Sequence, residues 1–203
     1  NGEIYNFLVL KKYLLDKYDI KFNGTSDTEV LIQLFYFEGI DKTLELINGI
    51  FSIALYNTET NEVTLIRDRI GIKYCYYYED NNIFMFASNP SAISKTLHEV
   101  NNIKFNINTD VMFSYLASGI CLDSQSMFKN INGVESGNYI KIKNGTFSTE
   151  IVTWWLPNLN REDESIQEYI ETSMKMQELG DVDKNILYSG GIDSNILAKY
   201  SKN

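Results

Sequence analysis

Three times in this 203-residue chain a short run of β-branched and aromatic residues meets a second such run across a brief polar turn, which commits much of the sequence to antiparallel sheet. Ile50 to Tyr56 is too short and too rich in β-branched and aromatic residues for a helix; the turn Asn57 to Asn61 follows, and Val63 to Ile66 returns as its hairpin partner. Tyr74 to Tyr78 and Ile83 to Phe86 flank Glu79-Asp80-Asn81-Asn82. Tyr139 to Ile142 and Phe147 to Thr153 flank Lys143-Asn144-Gly145, whose Asn-Gly pair supplies the positive φ angles of a tight hairpin and closes a first domain. Strand alternation buries one face, so the Tyr-rich run at 76 to 78 reads as sheet packing rather than a stacking platform.

Helical spacing appears between these hairpins. Leu8, Leu10, Tyr13, Leu14 and Leu15 recur on one face through Tyr18, and Val30, Leu31, Leu34, Phe35 and Phe37 do so after the start signal Ser26-Asp27. Pro90 fits the first turn of a short helix ending near Leu97, and a further helix spans Asp110 to Ala117. After Pro157 the chain turns polar and acidic through Glu164, which reads as a linker before a helix over Ile166 to Leu179. The expected division is therefore 1–156 and 157–203. Asn185 to Tyr188 reads as a short buried strand, and Ile196 to Tyr200 as helix.

The formal charge of −9 and a pI near 4.7 repel phosphate backbones and disfavour nucleic-acid binding. No apolar run approaches the roughly 20 residues of a membrane helix, and the start lacks the order of a signal peptide. Cys75 and Cys121 show no metal or redox spacing and His98 stands alone, which fits a reducing, cytoplasmic setting and cysteines that pack as small apolar residues. The opening Asn1-Gly2-Glu3 without Met suggests a piece of a longer protein.

Near the C-terminal end, the strand expected at 185–188 runs into Ser189-Gly190-Gly191-Ile192-Asp193-Ser194 and then a helix. Strand, glycine loop and helix together aim free backbone N–H groups outward, a nest that attracts phosphate. A bare Gly-Gly is usually only a turn, and no Walker lysine follows. Six residues here match one pattern, however, and the segment resembles the pyrophosphate loop of the ATP pyrophosphatase family. The resemblance implies that Leu187 lies near adenine, that Ser189, Gly190, Gly191 and Ser194 hold pyrophosphate, and that Asp193 ligates magnesium.

At the other end, Asn1-Gly2-Glu3-Ile4-Tyr5-Asn6 and Ser26-Asp27-Thr28-Glu29-Val30 resemble the glutamine-binding segments of class II amidotransferases. Asn-Gly alone is more often a turn, and Ser26 or Asp27 alone more often a helix cap. By the resemblance, Asn1 and Gly2 form an oxyanion hole while Glu3 and Asp27 bind the glutamine α-ammonium; capping and binding are compatible. Gly49 to Leu55, Arg67 to Lys73 and Phe86 to Asn89 continue the likeness in order, and the whole is similar to the glutamine-hydrolysing asparagine synthetase family. Arg67, Asp68, Arg69 and Lys73 read as a salt-bridged structural turn, and Trp154 and Trp155 as packing at the domain junction.

The resemblance implies an α/β (α+β) chain: an αββα sandwich of the N-terminal nucleophile type, then the start of a doubly wound ATP-binding domain. It implies glutamine, aspartate and ATP as substrates, with magnesium, and an aspartyl-AMP intermediate attacked by ammonia. The family's nucleophilic cysteine precedes the Asn-Gly-Glu motif, so neither Cys75 nor Cys121 takes that role and these 203 residues alone are expected to be inactive. Asn89 stands where the family has an acidic residue. Other readings stay open: a sugar acid or peptide carboxylate as acceptor, a non-catalytic remnant or binding module, and a homodimer as the assembly.

Overall fold

The computed structural model describes residues 1–121, 124–143, 149–158, 165–178 and 185–201. In chain order the elements are β1 (Gly2–Ile4), α1 (Phe7–Lys17), α2 (Asp27–Leu46), β2 (Gly49–Asn57), β3 (Glu62–Arg67), β4 (Tyr76–Glu79), β5 (Phe84–Ala87), α3 (Pro90–Asn101), α4 (Thr109–Ser118), β6 (Ile131–Gly133), β7 (Asn138–Lys143), β8 (Thr149–Thr153), α5 (Ile166–Gln177) and α6 (Ile192–Tyr200). All pairings are antiparallel, in a sheet ordered β1-β2-β3-β7-β8 and a smaller one ordered β5-β4-β6.

Side-chain alternation stacks these elements into an αββα sandwich. Ile66 and Tyr139 face a core that includes Leu10, Leu14, Val30 and Leu34 of α1 and α2. Their neighbours Leu65 and Ile140 face the other way, packing with Tyr77 and Val134 between the sheets. Tyr78 then turns to the outer side of the small sheet, against Ile93 and Leu97 of α3. The period of two thus distributes consecutive residues among three apolar layers.

All three expected hairpins form, with boundaries moved by a few residues. Tyr74 and Cys75 lie outside β4, and the turn at 144–145 falls outside the described residues, as do Phe147, Leu179 and most of the expected linker. The strand β6 pairs with β4 but has only three residues, too few for a sequence period. α3 runs four residues past Leu97, because Asn102 adopts a left-handed φ of 54° and its N–H returns to His98 O. Asn89 caps the start of that helix by accepting from Ser91 N at 2.8 Å.

The strand expected at Asn185 to Tyr188 is absent, and the segment is not buried: Leu187 is 95% exposed. A strand needs partners for its N–H and C=O groups, and no strand among the described residues runs beside it. The helix α5 forms where expected, whereas α6 begins at Ile192, four residues before the expected Ile196, and takes Asp193 and Ser194 into its first turn; among the described residues no helix is long and apolar enough to cross a membrane.

The helix α2 starts with Ser26 Oγ accepting from Thr28 N and breaks at Gly39, where φ is 75°. Just before the break, Glu38 accepts from Tyr13 OH, Tyr18 OH and Lys17 Nζ at 2.8 to 2.9 Å, fastening α1 to α2. Those donors, Lys17 first, hold the Glu38 carboxyl down to about 2. A lowered folded-state value contributes stability above the ordinary carboxylate range and loses it as pH falls. Thermal midpoints of the native chain and Glu38→Gln should therefore differ at neutral pH and converge between about pH 4.5 and 2. A gap independent of pH would show that the carboxylate charge is not the fastening.

Candidate functional site

The strand β1 is an edge. It pairs with β2 so that Gly2 lies opposite Phe51 and Ile4 opposite Gly49. The backbones meet closely: a Cβ on Gly2 would lie 2.6 Å from Phe51 Cα, and one on Gly49 would lie 3.0 Å from Ile4 Cα. Gly2 also has φ of +139°, a conformation that side-chain-bearing residues rarely adopt. Glycine at position 2 is therefore demanded twice over.

Because hydrogen-bonding direction alternates along an antiparallel strand, the amides of Gly2 and Ile4 point to the free side of β1, away from β2. The Ile4 N–H is taken by Asp27 Oδ2 at 3.0 Å. Asp27 is the first residue of α2, so one hydrogen bond ties the edge strand to the helix start. Ser26, rather than Asp27, performs the capping. The second oxygen of Asp27 lies near the hydroxyls of Thr28 and Ser26 at 3.3 and 3.4 Å, and the residue is half-buried.

These constraints shape a cleft of about 200 Å³ lined by Asn1, Gly2, Glu3 and Asp27, with Thr28 and Leu31 of α2 and residues 51–54 of β2 forming its walls. All four N-terminal residues singled out in the sequence thus converge, although Asp27 is remote in sequence. No Lys or Arg side chain lines the cleft among the described residues. Burial first, then the nearby carboxylates Glu3 and Asp68, push the Tyr5 hydroxyl above its ordinary value.

Behind the cleft sits the segment 67–73. Asp68 is buried, and its carboxylate accepts from the N–H groups of Phe51, Ile70, Ile72 and Lys73 at 2.9 to 3.3 Å. Arg67 donates to the carbonyls of Gly71, Lys73 and Val134, and Arg69 to those of Leu44 and Ile47. The turn is structural, as the sequence suggested, but its charges are matched by backbone dipoles rather than salt bridges. Arg69 also lies 5.2 Å over the Trp154 ring, which stacks on Phe51, so this tryptophan packs into the helix-facing core. The wall residues of β2 and the role of Asp68 were missed in the sequence; a lone aspartate between two arginines was their only sign.

The second candidate site stands apart. Gly190 has φ of 78°, and Gly191 precedes α6 with no side-chain cap on the helix. Ser194 is buried, its hydroxyl donating to Gly191 O and lying 3.2 Å from Ser189 Oγ. Asn195, which the sequence reading passed over, donates to the carbonyls of Gly190 and Gly191 and accepts from Tyr188 OH. Asp193 is exposed at the first turn. The loop therefore leaves helix-start N–H groups available for an anion, and Leu187 before it is 95% exposed. Among the described residues no cluster of three or more potential ligands could hold a metal, so Asp193 would share any magnesium ion with phosphate oxygens.

A family model for the glutamine amidotransferase domain matches residues 1–155. The glutamine-hydrolysing asparagine synthetase 2 of Bacillus subtilis is 31% identical over 99% of this chain, and a putative enzyme of the same title from Methanocaldococcus jannaschii is 31% identical over 97%. The chain spans 28% and 38% of these curated relatives' lengths. Among solved structures, the glutamine phosphoribosylpyrophosphate amidotransferase of B. subtilis superposes with a TM-score of 0.53 at 18% identity, covering 88% of this chain and 37% of its own. That likeness concerns the fold.

Gly2→Ala should detach β1, lowering stability by about 2 kcal/mol or more through backbone strain and the clash with β2. Faster hydrogen exchange at Ile50 and Ser52 would report it; an unchanged denaturation midpoint would contradict the geometry. Asp68→Ala strands four amides, that of Phe51 buried and the other three part-buried, and should cost about 3 kcal/mol by the same measurement.

Proposed function

Since the chain belongs to the glutamine amidotransferase domain family, we propose that the β1–α2 cleft takes the amide donor glutamine and that the complete polypeptide is a glutamine-dependent asparagine synthetase. In this reading the Asn1 side-chain amide and the outward Gly2 N–H donate to the oxyanion that forms as a thiolate attacks the glutamine amide. Glu3 and Asp27, whose Oδ1 also accepts from the Ser26 and Thr28 hydroxyls, receive the α-ammonium. Collapse of the tetrahedral intermediate releases ammonia and leaves an acyl-enzyme that water hydrolyses. The thiolate is not Cys75, which is buried between the sheets with its thiol pushed up by that burial, and Cys121 is no part of the cleft.

The observation that carries this reading is the hydrogen bond from Ile4 N to Asp27 Oδ2. It brings a carboxylate from the start of α2 beside Asn1, Gly2 and Glu3 and orients the edge so that the Gly2 amide faces the same space.

For the acceptor half, Ser189, Gly190, Gly191 and Ser194 would hold the ATP pyrophosphate at the start of α6, with Leu187 toward adenine. Magnesium, held by Asp193 and the phosphates, would supply charge neutralisation there. The aspartate carboxylate would be activated as aspartyl-AMP, from which ammonia displaces AMP. What supports this half is the match to asparagine synthetases across nearly the whole chain, together with the uncapped helix start.

ATP–pyrophosphate exchange by the full-length polypeptide, with aspartate against other carboxylates, tests the proposal. Exchange should require aspartate; no exchange with any acceptor would sink the synthetase reading. Glu3→Gln should raise the KM for glutamine about tenfold or more while ammonia-driven synthesis stays unchanged, and Asp193→Asn should depress synthesis with either nitrogen donor.

A further inference from the structure

The left-handed turn at Asn102 does more than stop α3. Its own N–H returns to His98 O and the next, that of Ile103, to Leu97 O, so the chain doubles back beside the helix it has just left. Between α3 and residues 103–105 lies a groove of about 380 Å³. One wall is a single helix face: Ser91, Ser94, Lys95 and His98 recur at three- and four-residue spacing, which aligns two hydroxyls, an ammonium and an imidazole. On the other wall Lys104 adds a second ammonium. The half-buried Ile103 and Phe105 beside it join the cluster of Ile93 and Leu97 and give the groove an apolar floor.

This gathering of positive charge runs against the −9 of the whole chain. Several other cations are engaged within the fold: Lys17 with Glu38, Lys42 with Glu45, and Arg67 and Arg69 with backbone carbonyls. In the groove, by contrast, the side chains of His98 and Lys104 and the hydroxyls of Ser91 and Ser94 meet no hydrogen-bond or ion-pair partner among the described residues. No carboxylate lines it there, and Glu99, beside it on α3, reaches Lys95 only at 3.9 Å with both side chains exposed. The strands on which α3 packs meet its opposite side, at Ile93 and Leu97.

The donor set selects a ligand class. Ammonium groups are compact point charges that suit phosphate, whereas planar bidentate pairing with a carboxylate belongs to arginine, and no arginine lines the groove among the described residues. The helix face from Ser91 to His98 is about 10 Å long, the length of a small molecule rather than of an acidic peptide. The volume also falls within the roughly 300–1,000 Å³ of small-molecule sites. We propose that the groove between α3 and residues 103–105 binds a small organic phosphate, its phosphate group held by Lys95, His98 and Lys104 and its apolar part resting on Ile103 and Phe105. The site shares no residue with the β1–α2 cleft or the glycine loop before α6, and it does not depend on the function proposed for them.

His98 is the chain's only histidine, so its ring signals in a proton–carbon NMR spectrum report on the groove directly. Titration of the chain with phenyl phosphate at slightly alkaline pH, where the phosphate carries close to two charges, should shift those signals to saturation. Inorganic phosphate should bind about tenfold more weakly for want of the ring, and benzoate about tenfold more weakly for want of the second charge. Lys95→Gln and Lys104→Gln should each weaken phenyl phosphate about fivefold at unchanged circular dichroism, while Lys12→Gln, which removes an exposed charge outside the groove, should leave it unchanged. The comparison of the three probes uses the native chain alone and stands whether or not the variants fold. No saturable shift, equal affinity for inorganic phosphate or benzoate, or equal weakening by Lys12→Gln would overturn the proposal.

Discussion

The carboxylate of Asp68 holds the centre of this fold. It is buried, and in place of a cation it gathers four backbone N–H groups, one from β2 and three from the segment after β3. Its own N–H returns to Phe51 O and its C=O accepts from Gly137 at the approach to β7. One short side chain and its backbone thus join β2, the segment after β3 and the lead into β7. Only a carboxylate on a short stem offers enough lone pairs for this; a hydroxyl or amide would leave amides unmatched. The position of β2 fixes β1, and the edge of β1 fixes the cleft.

The layered architecture was legible because it rests on local patterns. Alternation at Leu65-Ile66, Tyr77-Tyr78 and Tyr139-Ile140 announces strands with two different buried faces, and Ser26 and Pro90 announce helix starts. What could not be read depended on partners distant in sequence. Three residues of β6 become a strand only because β4 lies beside them. Tyr188 and its predecessors look like a buried strand by composition, yet a strand is defined by its neighbours and these residues have none among those described. Arg67, Asp68 and Arg69 suggested salt bridges since charge is visible in a sequence, whereas the backbone groups that match it are not.

The candidate cleft was legible as residues but not as geometry. Asn1, Gly2, Glu3 and Asp27 could be named from their motifs, and they do line one space. Neither motif announces that Asp27 closes the edge of β1, nor that Gly2 is required for close strand approach as well as for its free amide. At the far loop the motif was legible and its surroundings were not: Gly190 takes a positive φ before the helix, Ser194 lies inside the helix, and Leu187 stands exposed instead of in a buried strand.

The divided loyalty of Asp27 has an evolutionary reach. One oxygen ties the edge strand to the helix start and the other accepts from neighbouring hydroxyls at the cleft wall, so under the proposed function a substitution there alters stability and recognition together. Glu3 carries no such double duty, its side chain being exposed on the edge strand. If the proposed function holds, drift toward a different ligand would meet little resistance at position 3 and a steep barrier at position 27, which makes the helix-borne carboxylate the slow variable in the divergence of this cleft.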